Sequence, residues 1–327
     1  MGKKILVIRS GAIGDVVHSS IIQSAIKAQH PDSVVHFMTS AMIAPIIERD
    51  VNLERVFAFD MSKKDDFSYL FKLGLELRKE KYDAVISLQN SLRNRFLGLM
   101  AGGKYLPRLS KGAKHATDAF FASAKAVFPD LKKPDELKLY LDEGILERVK
   151  ALTDGFPRPF FIISPAGEND KFRKGRIWRF ERWSELSNRL IDRCGGTVFV
   201  VGSKPEGELH RKHLNIKNSR IFSGELSLEE SIHLFSLADL FISGDSGPLH
   251  IASALGVKTL GIYGSTSPVF CAPYGKNGHV FQTPFECNSC DSKTCKKLND
   301  GETYTPCMDA IAPEVVFEFI VKNNLFS

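Results

Sequence analysis

Short apolar runs alternate with amphipathic stretches along the whole chain. Ile5–Arg9 is a strand-length run, Val16–Gln29 repeats apolar residues at helical spacing until His30-Pro31-Asp32 stops it, and Val34–Thr39 is a second run. Near-continuous apolar runs of this length suit strands buried on both faces, and the 3.6-residue repeat between them suits helices covering those faces. Ala44–Glu48, Phe67–Glu80 and Ala84–Leu88 continue the rhythm. The pattern then turns polar and glycine-interrupted over QNSLRNRFLGLMAGGKYLPRLSKGAKHATD, residues 89–118, which reads as a poor core and a binding edge. From Phe128 to Pro159, four prolines and a charged stretch mark an interdomain connection. A second series follows, with strands at Phe160–Ser164, Thr197–Val201, Leu240–Ser243 and Thr259–Tyr263 and helices at Arg182–Arg193, Leu228–Leu237 and Leu249–Leu255. The alternation predicts an α/β fold of two Rossmann-like, doubly wound domains, residues 1–155 and 156–327. The closing helix, Pro313 to about Asn323, is expected to cross back toward the first domain.

Composition narrows the picture. A chain of 327 residues, 43% hydrophobic and 25% charged, is ordinary globular protein and long enough for two cores. The opening MGKKILVIRS holds too short an apolar run for a signal peptide, and no run approaches the roughly 18 residues of a membrane span, so a soluble, cytoplasmic protein is expected. A net charge of +6, with Lys and Arg dispersed, suits an anionic partner such as a phosphate, a sugar acid or an acidic lipid. Nucleic acid is not expected, because no zinc-finger spacing, aromatic RNA-binding signature or repeated basic helix occurs. Six cysteines without a signal peptide read as reduced thiols or metal ligands. Cys287, Cys290, Cys295 and Cys307 follow C-x2-C-x4-C-x11-C, a spacing that fits a structural zinc, a reduced loop or a disulfide.

Chemistry concentrates in LADLFISGDSGPLHIASALGVKTLGIYGSTSP, residues 237–268. A strand runs into Gly244-Asp245-Ser246-Gly247, and Pro248 stands where a helix's first residue needs no N–H. Free N–H groups at such a helix start, reinforced by the macrodipole, form an anion site that His250 in the first turn can reach. Gly264-Ser265-Thr266-Ser267-Pro268 repeats the device after the next strand. An ordinary turn and a capping His are the plain alternatives. The opening loop SGAIGDVV differs: it lacks the G-x-G-x-x-G of a dinucleotide-binding dehydrogenase, and Asp15 at its mouth would repel a phosphate.

GDSGPLHIASALG resembles the D-(S/T)-G-x-x-H-x-x-x-A signature of glycosyltransferase family 9, the ADP-heptose:lipopolysaccharide heptosyltransferases. SGAIGDVVHSS resembles that family's GD-V-x-H motif, SPAGENDKFRKGRIWRFERWSEL its P-x-G…K-x-W-x-x-x-x-W segment, and VVGSKPEGE its glycine loop with an acidic residue four positions on. These motifs occur in order over nearly the whole chain. The resemblance implies a GT-B fold of two facing domains, the acceptor held by the first and the nucleotide sugar by the second. It implies inverting, metal-independent transfer of heptose from ADP-heptose, with no cofactor, to an inner-core sugar of a lipid A-linked lipopolysaccharide acceptor. Carried over by position, Asp245, Ser246, Gly247, His250, Ser265 and Thr266 would bind the donor, and Glu206 would meet the nucleotide ribose. Arg176, where the family usually has Lys, would neutralise the leaving diphosphate, with Lys171 and Lys174 as nearby alternatives. Asp15 would be the general base, a helix N-cap being its plainer role, and His18 one helical turn on would support it. Arg93, Arg95, Lys111, Lys114 and His115 are candidate contacts for the anionic acceptor, whose lipid anchor implies peripheral contact with the cytoplasmic face of the inner membrane. Trp178 and Trp183 are expected to pack rather than react. Another sugar nucleotide or acceptor, or a non-catalytic nucleotide-binding protein on the same fold, remain open alternatives.

Overall fold

The computed structural model describes residues 2–109, 112–165, 176–291, 295–298 and 304–326. The chain divides into two compact units, Met1–Tyr140 and Leu141–Ser327. The first runs β1 (Lys4–Ile8), α1 (Ile13–Ser19), α2 (Ile21–Gln29), β2 (Val34–Ser40), β3 (Arg55–Phe59), α3 (Phe67–Lys79), β4 (Ala84–Ser87), α4 (Leu92–Ala101), β5 (Lys104–Pro107) and α5 (Ala116–Lys125). Its strands pair in parallel in the order β3-β2-β1-β4-β5. Leu6 and Ile8 of β1 and Val85 of β4 pack beneath Leu73 and Leu77 of α3 and Leu97 of α4.

Two expectations change here. The helix predicted over Val16–Gln29 is two helices, α1 and α2, meeting at Ser20, where the Ser19 and Ser20 hydroxyls each donate back to the carbonyls of Val16 and Val17 at 2.7 Å. Such back-bonding competes with the helical ladder and bends it. Residues 89–118 are not a poor core: they form α4, β5 and the start of α5, and bury Asn94, Leu97, Gly98 and Ala101. The glycine that made α4 look broken is required there, since a Cβ on Gly98 would stand 2.6 Å from the Tyr105 ring.

The second unit runs α6 (Glu143–Thr153), β6 (Phe160–Ser164), α7 (Phe180–Cys194), β7 (Thr197–Val200), α8 (Lys204–His213), β8 (Ser219–Ile221), α9 (Leu228–Phe235) and β9 (Leu240–Gly244). It continues with α10 (Gly247–Ala254), β10 (Thr259–Ile262), α11 (Pro268–Cys271), β11 (Gly278–Phe281), α12 (Pro306–Asp309) and α13 (Pro313–Lys322). The sheet is again parallel, in the order β11-β10-β9-β6-β7-β8. The division falls at Tyr140/Leu141 rather than after residue 155, because α6 packs on α9 and the Asp142 N–H donates to His233 Nε2 at 2.8 Å. The closing helix α13 packs on α7, burying Val316 and Ile320 beside Trp178 and Trp183, with Glu314 2.6 Å from Arg189. The two tryptophans meet edge to face at 5.1 Å and are core residues.

In each sheet the strand order reverses once, between β1 and β4 in the first and between β6 and β9 in the second. Ligands of open parallel sheets bind outside the carboxyl ends of strands at such switch points. No helix among the described residues is long and apolar enough to cross a membrane.

Candidate active site

At the first switch point β1 ends in Arg9, Ser10 and the opening glycine loop. Ala12 adopts φ 59°, ψ 113°, a conformation rare for a residue with a Cβ, and α1 begins immediately after it. Asp15 therefore falls inside the first turn of α1 and is not its N-cap. Its carboxylate pairs with Nη2 of Arg9, which is only 7% exposed. Arg9 Nη1 donates to the Leu88 carbonyl at 3.1 Å, so one guanidinium ties the ends of β1 and β4 to the acid. Arg9 and Arg108 lie against the same Phe120 ring, at 5.9 and 5.1 Å from its centroid. Burial lowers the Arg9 pKa, the Asp15 charge offsets part of that, and Arg108 adds to it. Ser10 Oγ completes the floor, pairing with Gln89 Oε1 at 3.0 Å and accepting from Asn94 Nδ2 at 3.2 Å.

The predicted companions separate. His18 is buried one turn beyond Asp15, edge-on to the His115 ring at 5.1 Å. His115 itself is the N-cap of α5: its Nδ1 accepts from the Thr117 N–H at 3.2 Å, and its own N–H donates to Asp118 at 2.8 Å. Arg93 reaches the floor, with Nη2 3.4 Å from Ser10 Oγ and its guanidinium 5.0 Å from the Phe59 centroid. Arg95 and Lys114 are exposed. Lys111 lies outside the described residues, as do Lys171 and Lys174.

At the second switch point β9 runs into Asp245 and α10. Ser246 occupies the N-cap without a side-chain cap bond. Its hydroxyl instead pairs with Ser243 Oγ at 2.7 Å, and Ser243 donates to the Ser164 carbonyl at the end of β6. The first-turn N–H groups of α10 thus point to the switch point without a capping side chain. Arg176 Nη1 lies 3.1 Å from Asp245 Oδ2 and donates to the Asp245 carbonyl, while His250 Nε2 stands 3.5 Å from Oδ1. Burial pushes the Asp245 carboxyl up, but the bonds from His250 and Thr266 and the Arg176 charge outweigh it and hold it below its ordinary value. Asp245 thereby works as an anchor for two cationic or donor side chains beside a helix start. The thiol of Cys271, pushed far up by burial and then by Asp245, lies 3.6 Å from the same carboxylate. Gly244 is needed for this geometry, since a Cβ there would come to 2.9 Å from the Arg176 carbonyl.

Ser265 and Thr266 are buried at the neighbouring end of β10, where Gln282 Nε2 donates to the Gly264 carbonyl at 2.9 Å and the Asp291 N–H to that of Ser265 at 2.8 Å. Glu206 caps α8: its Oε2 accepts from the Ser203 N–H at 2.7 Å and hydroxyl at 2.6 Å. Behind it the buried His210 joins Ser223 Oγ at 2.7 Å to the Pro165 carbonyl at 3.2 Å, and burial lowers its pKa, keeping the ring neutral. Arg9, Arg108, Cys271 and His210 escaped sequence reading because each sits in an apolar or loop context whose meaning depends on a distant partner; a basic residue ending an otherwise apolar strand, as Arg9 does, was the one available signal.

Cys287, Cys290, Cys295 and Cys307 are free thiols, and the Cys287 thiol is pushed up by burial and then by the other three. Among the described residues, no group of three or more His, Cys, Asp or Glu side chains could hold a metal ion.

The sequence profile of glycosyltransferase family 9 (heptosyltransferase) matches residues 104–299. The chain is 23% identical over 312 residues to lipopolysaccharide heptosyltransferase 2 of Salmonella typhimurium, covering 85% of this chain and 88% of that protein. The solved structure of E. coli ADP-heptose LPS heptosyltransferase II superposes with a TM-score of 0.78 at 25% identity, over 99% of this chain and 98% of that one. A family 9 glycosyltransferase from Veillonella parvula superposes with a TM-score of 0.84 at 19% identity, over 99% and 97%. The two parallel-sheet units match the GT-B-like fold of these enzymes. With the family profile spanning more than half its length, this chain belongs to glycosyltransferase family 9, the heptosyltransferase family, and is a glycosyltransferase.

Proposed function

We propose that the chain transfers heptose from ADP-heptose to an inner-core sugar of a lipid A-linked lipopolysaccharide acceptor, by a single inverting displacement that needs no metal. The observation that carries this reading is the opposite equipment of the two switch points: a carboxylate fixed by a buried arginine in one, and a helix start beside Arg176 and His250 in the other. A solved relative is named an ADP-heptose LPS heptosyltransferase, which supports the donor.

In this mechanism the first unit holds the acceptor and the second the donor. Asp15 takes the proton of the acceptor hydroxyl as that oxygen bonds to the anomeric carbon. The bond from this carbon to the diphosphate breaks on the opposite face, and ADP leaves with the electron pair. Arg176, His250 and the N–H groups of α10 meet the charge that grows on the diphosphate. Asp245 keeps Arg176 and His250 aimed. Ser246, Gly247, Ser265 and Thr266 line the donor, and Glu206 shares its carboxylate between Ser203 and the ribose hydroxyls. Arg9 keeps Asp15 oriented, His18 supports the turn that carries it, and Arg93 meets an acidic group of the acceptor. The lipid anchor of that acceptor places the work at the cytoplasmic face of the membrane.

The test is transfer to a defined acceptor with EDTA present, alongside ADP binding by calorimetry. Wild type should turn over under chelation, whereas Asp15→Asn should lose about a hundredfold or more of transfer while binding ADP as before. Loss of ADP binding in that variant would mean that the donor has been assigned to the wrong unit. Unchanged transfer would remove Asp15 from the role of base.

A further inference from the structure

Helices α3 and α4 turn a band of large apolar side chains toward water. On α3, Phe67, Phe71 and Leu75 recur at four-residue spacing and are exposed; on α4, Leu92 and Leu99 are exposed one turn to either side of Phe96. The rows join, because the Phe67 ring lies 6.2 Å from Phe71 and 5.7 Å from Phe96, and Gly74 lets α3 close on Met100 of α4. Leu92 is 87% and Phe67 68% exposed, in a unit whose other large apolar side chains mostly lie in the core. A contiguous apolar band of this kind marks a contact surface.

Charge indicates what covers it. The two helices carry Lys72, Arg78, Lys79, Arg93 and Arg95 against a single acid, Glu76, which Arg55 holds at 2.7 Å. Arg93 turns to Ser10 at the switch point, while the other four are exposed. By helical spacing, Lys72 and Lys79 border Leu75, and Arg95 stands between Leu92 and Leu99. A symmetric contact with a second copy would set these cations against their own kind. An anionic bilayer satisfies both halves of the pattern, taking the aromatic and aliphatic groups among its acyl chains and the cations at its phosphates.

We propose that the outer face of α3 and α4 seats the protein on an anionic phospholipid surface. The inference deepens the proposed reading, resting on a lipid-anchored acceptor, and α4 links the two roles: Arg93 faces the Asp15 site and Leu92, Arg95 and Leu99 face the membrane.

Co-sedimentation with vesicles of phosphatidylethanolamine and phosphatidylglycerol, against phosphatidylcholine vesicles, tests it on the full chain. Wild type should pellet with the anionic vesicles at low salt and be released by high salt. Phe71→Ser with Leu99→Ser, and separately Lys72→Glu with Lys79→Glu, should each weaken partition by about tenfold or more without moving the melting temperature, because all four side chains are exposed. Wild type left in the supernatant, or either variant pelleting like wild type, would overturn the inference. A dimer seen by sedimentation velocity and abolished by Phe71→Ser with Leu99→Ser would overturn it in favour of a second copy. Transfer to a soluble, deacylated acceptor should survive in both variants. Vesicle binding as stated by a chain that transfers no heptose would sink the proposed activity and leave this surface standing.

Discussion

Arg9 and Asp15 show how one buried cation positions a carboxylate. The guanidinium has Asp15 on one nitrogen and the Leu88 carbonyl on another, so it fixes the carboxylate relative to two strands at once. Arg9→Met should cut transfer at least about tenfold at unchanged ADP affinity, and should cost about 1–3 kcal/mol in urea unfolding, because the Leu88 carbonyl and Asp15 lose their donor. Asp245 is the complementary case, an acid that holds Arg176 and His250 beside a helix start. Asp245→Asn should weaken ADP binding even though it removes a negative charge, since Arg176 and His250 lose their anchor. The folded carboxyl lies below its ordinary value, so its contribution to stability is present above the unfolded pKa and disappears as pH falls through the folded one. The stability difference between wild type and Asp245→Asn, followed by denaturant titration, should therefore shrink as pH falls below about 4.

At the scale of elements, the proposed chemistry falls on strand-to-helix turns and not on the sheet edges. Gly244 lets the backbone at Arg176 approach the end of β9, and Gly244→Ala should displace it, weakening ADP binding and costing about 1–3 kcal/mol. Gly256→Ala is the control: its φ of +81° makes the change strained, yet a Cβ there meets nothing within 4 Å, so stability should fall while ADP affinity holds. The strands legible in the sequence were β1, β2, β4, β6, β7, β9 and β10, whose residues are almost all buried. The strands that escaped notice, β3, β5, β8 and β11, are the four edges of the two sheets. An edge strand is half open to water, so it lacks the continuous apolar run that betrays a central one. α4 escaped for a related reason: its water-facing stripe carries Leu92 and Leu99, and its buried one carries Asn94 and Gly98, which inverts the usual polarity signal.

Across the whole molecule, each unit has its own sheet and core, and both tryptophans lie in the second. Tryptophan fluorescence therefore reports the unfolding of Leu141–Ser327. ADP at a hundred times its dissociation constant should stabilise that transition by about 2.7 kcal/mol, and Asp245→Asn should blunt the shift at the same ADP concentration; no shift in wild type would place the nucleotide elsewhere. Two parallel α/β units, the glycine-bounded turns after β1 and β9, and the family were all determined by the sequence, because apolar periodicity and turn chemistry are local properties of the chain. The tertiary structure decided which candidates stand together. It paired Asp15 with Arg9, gathered Arg176 and His250 on Asp245, gave His115 to a helix cap, left Arg95 and Lys114 facing water, and packed α13 on α7. These outcomes depend on burial and on partners distant along the chain, and a side chain's charge or type does not state whether packing will bring such a partner within reach.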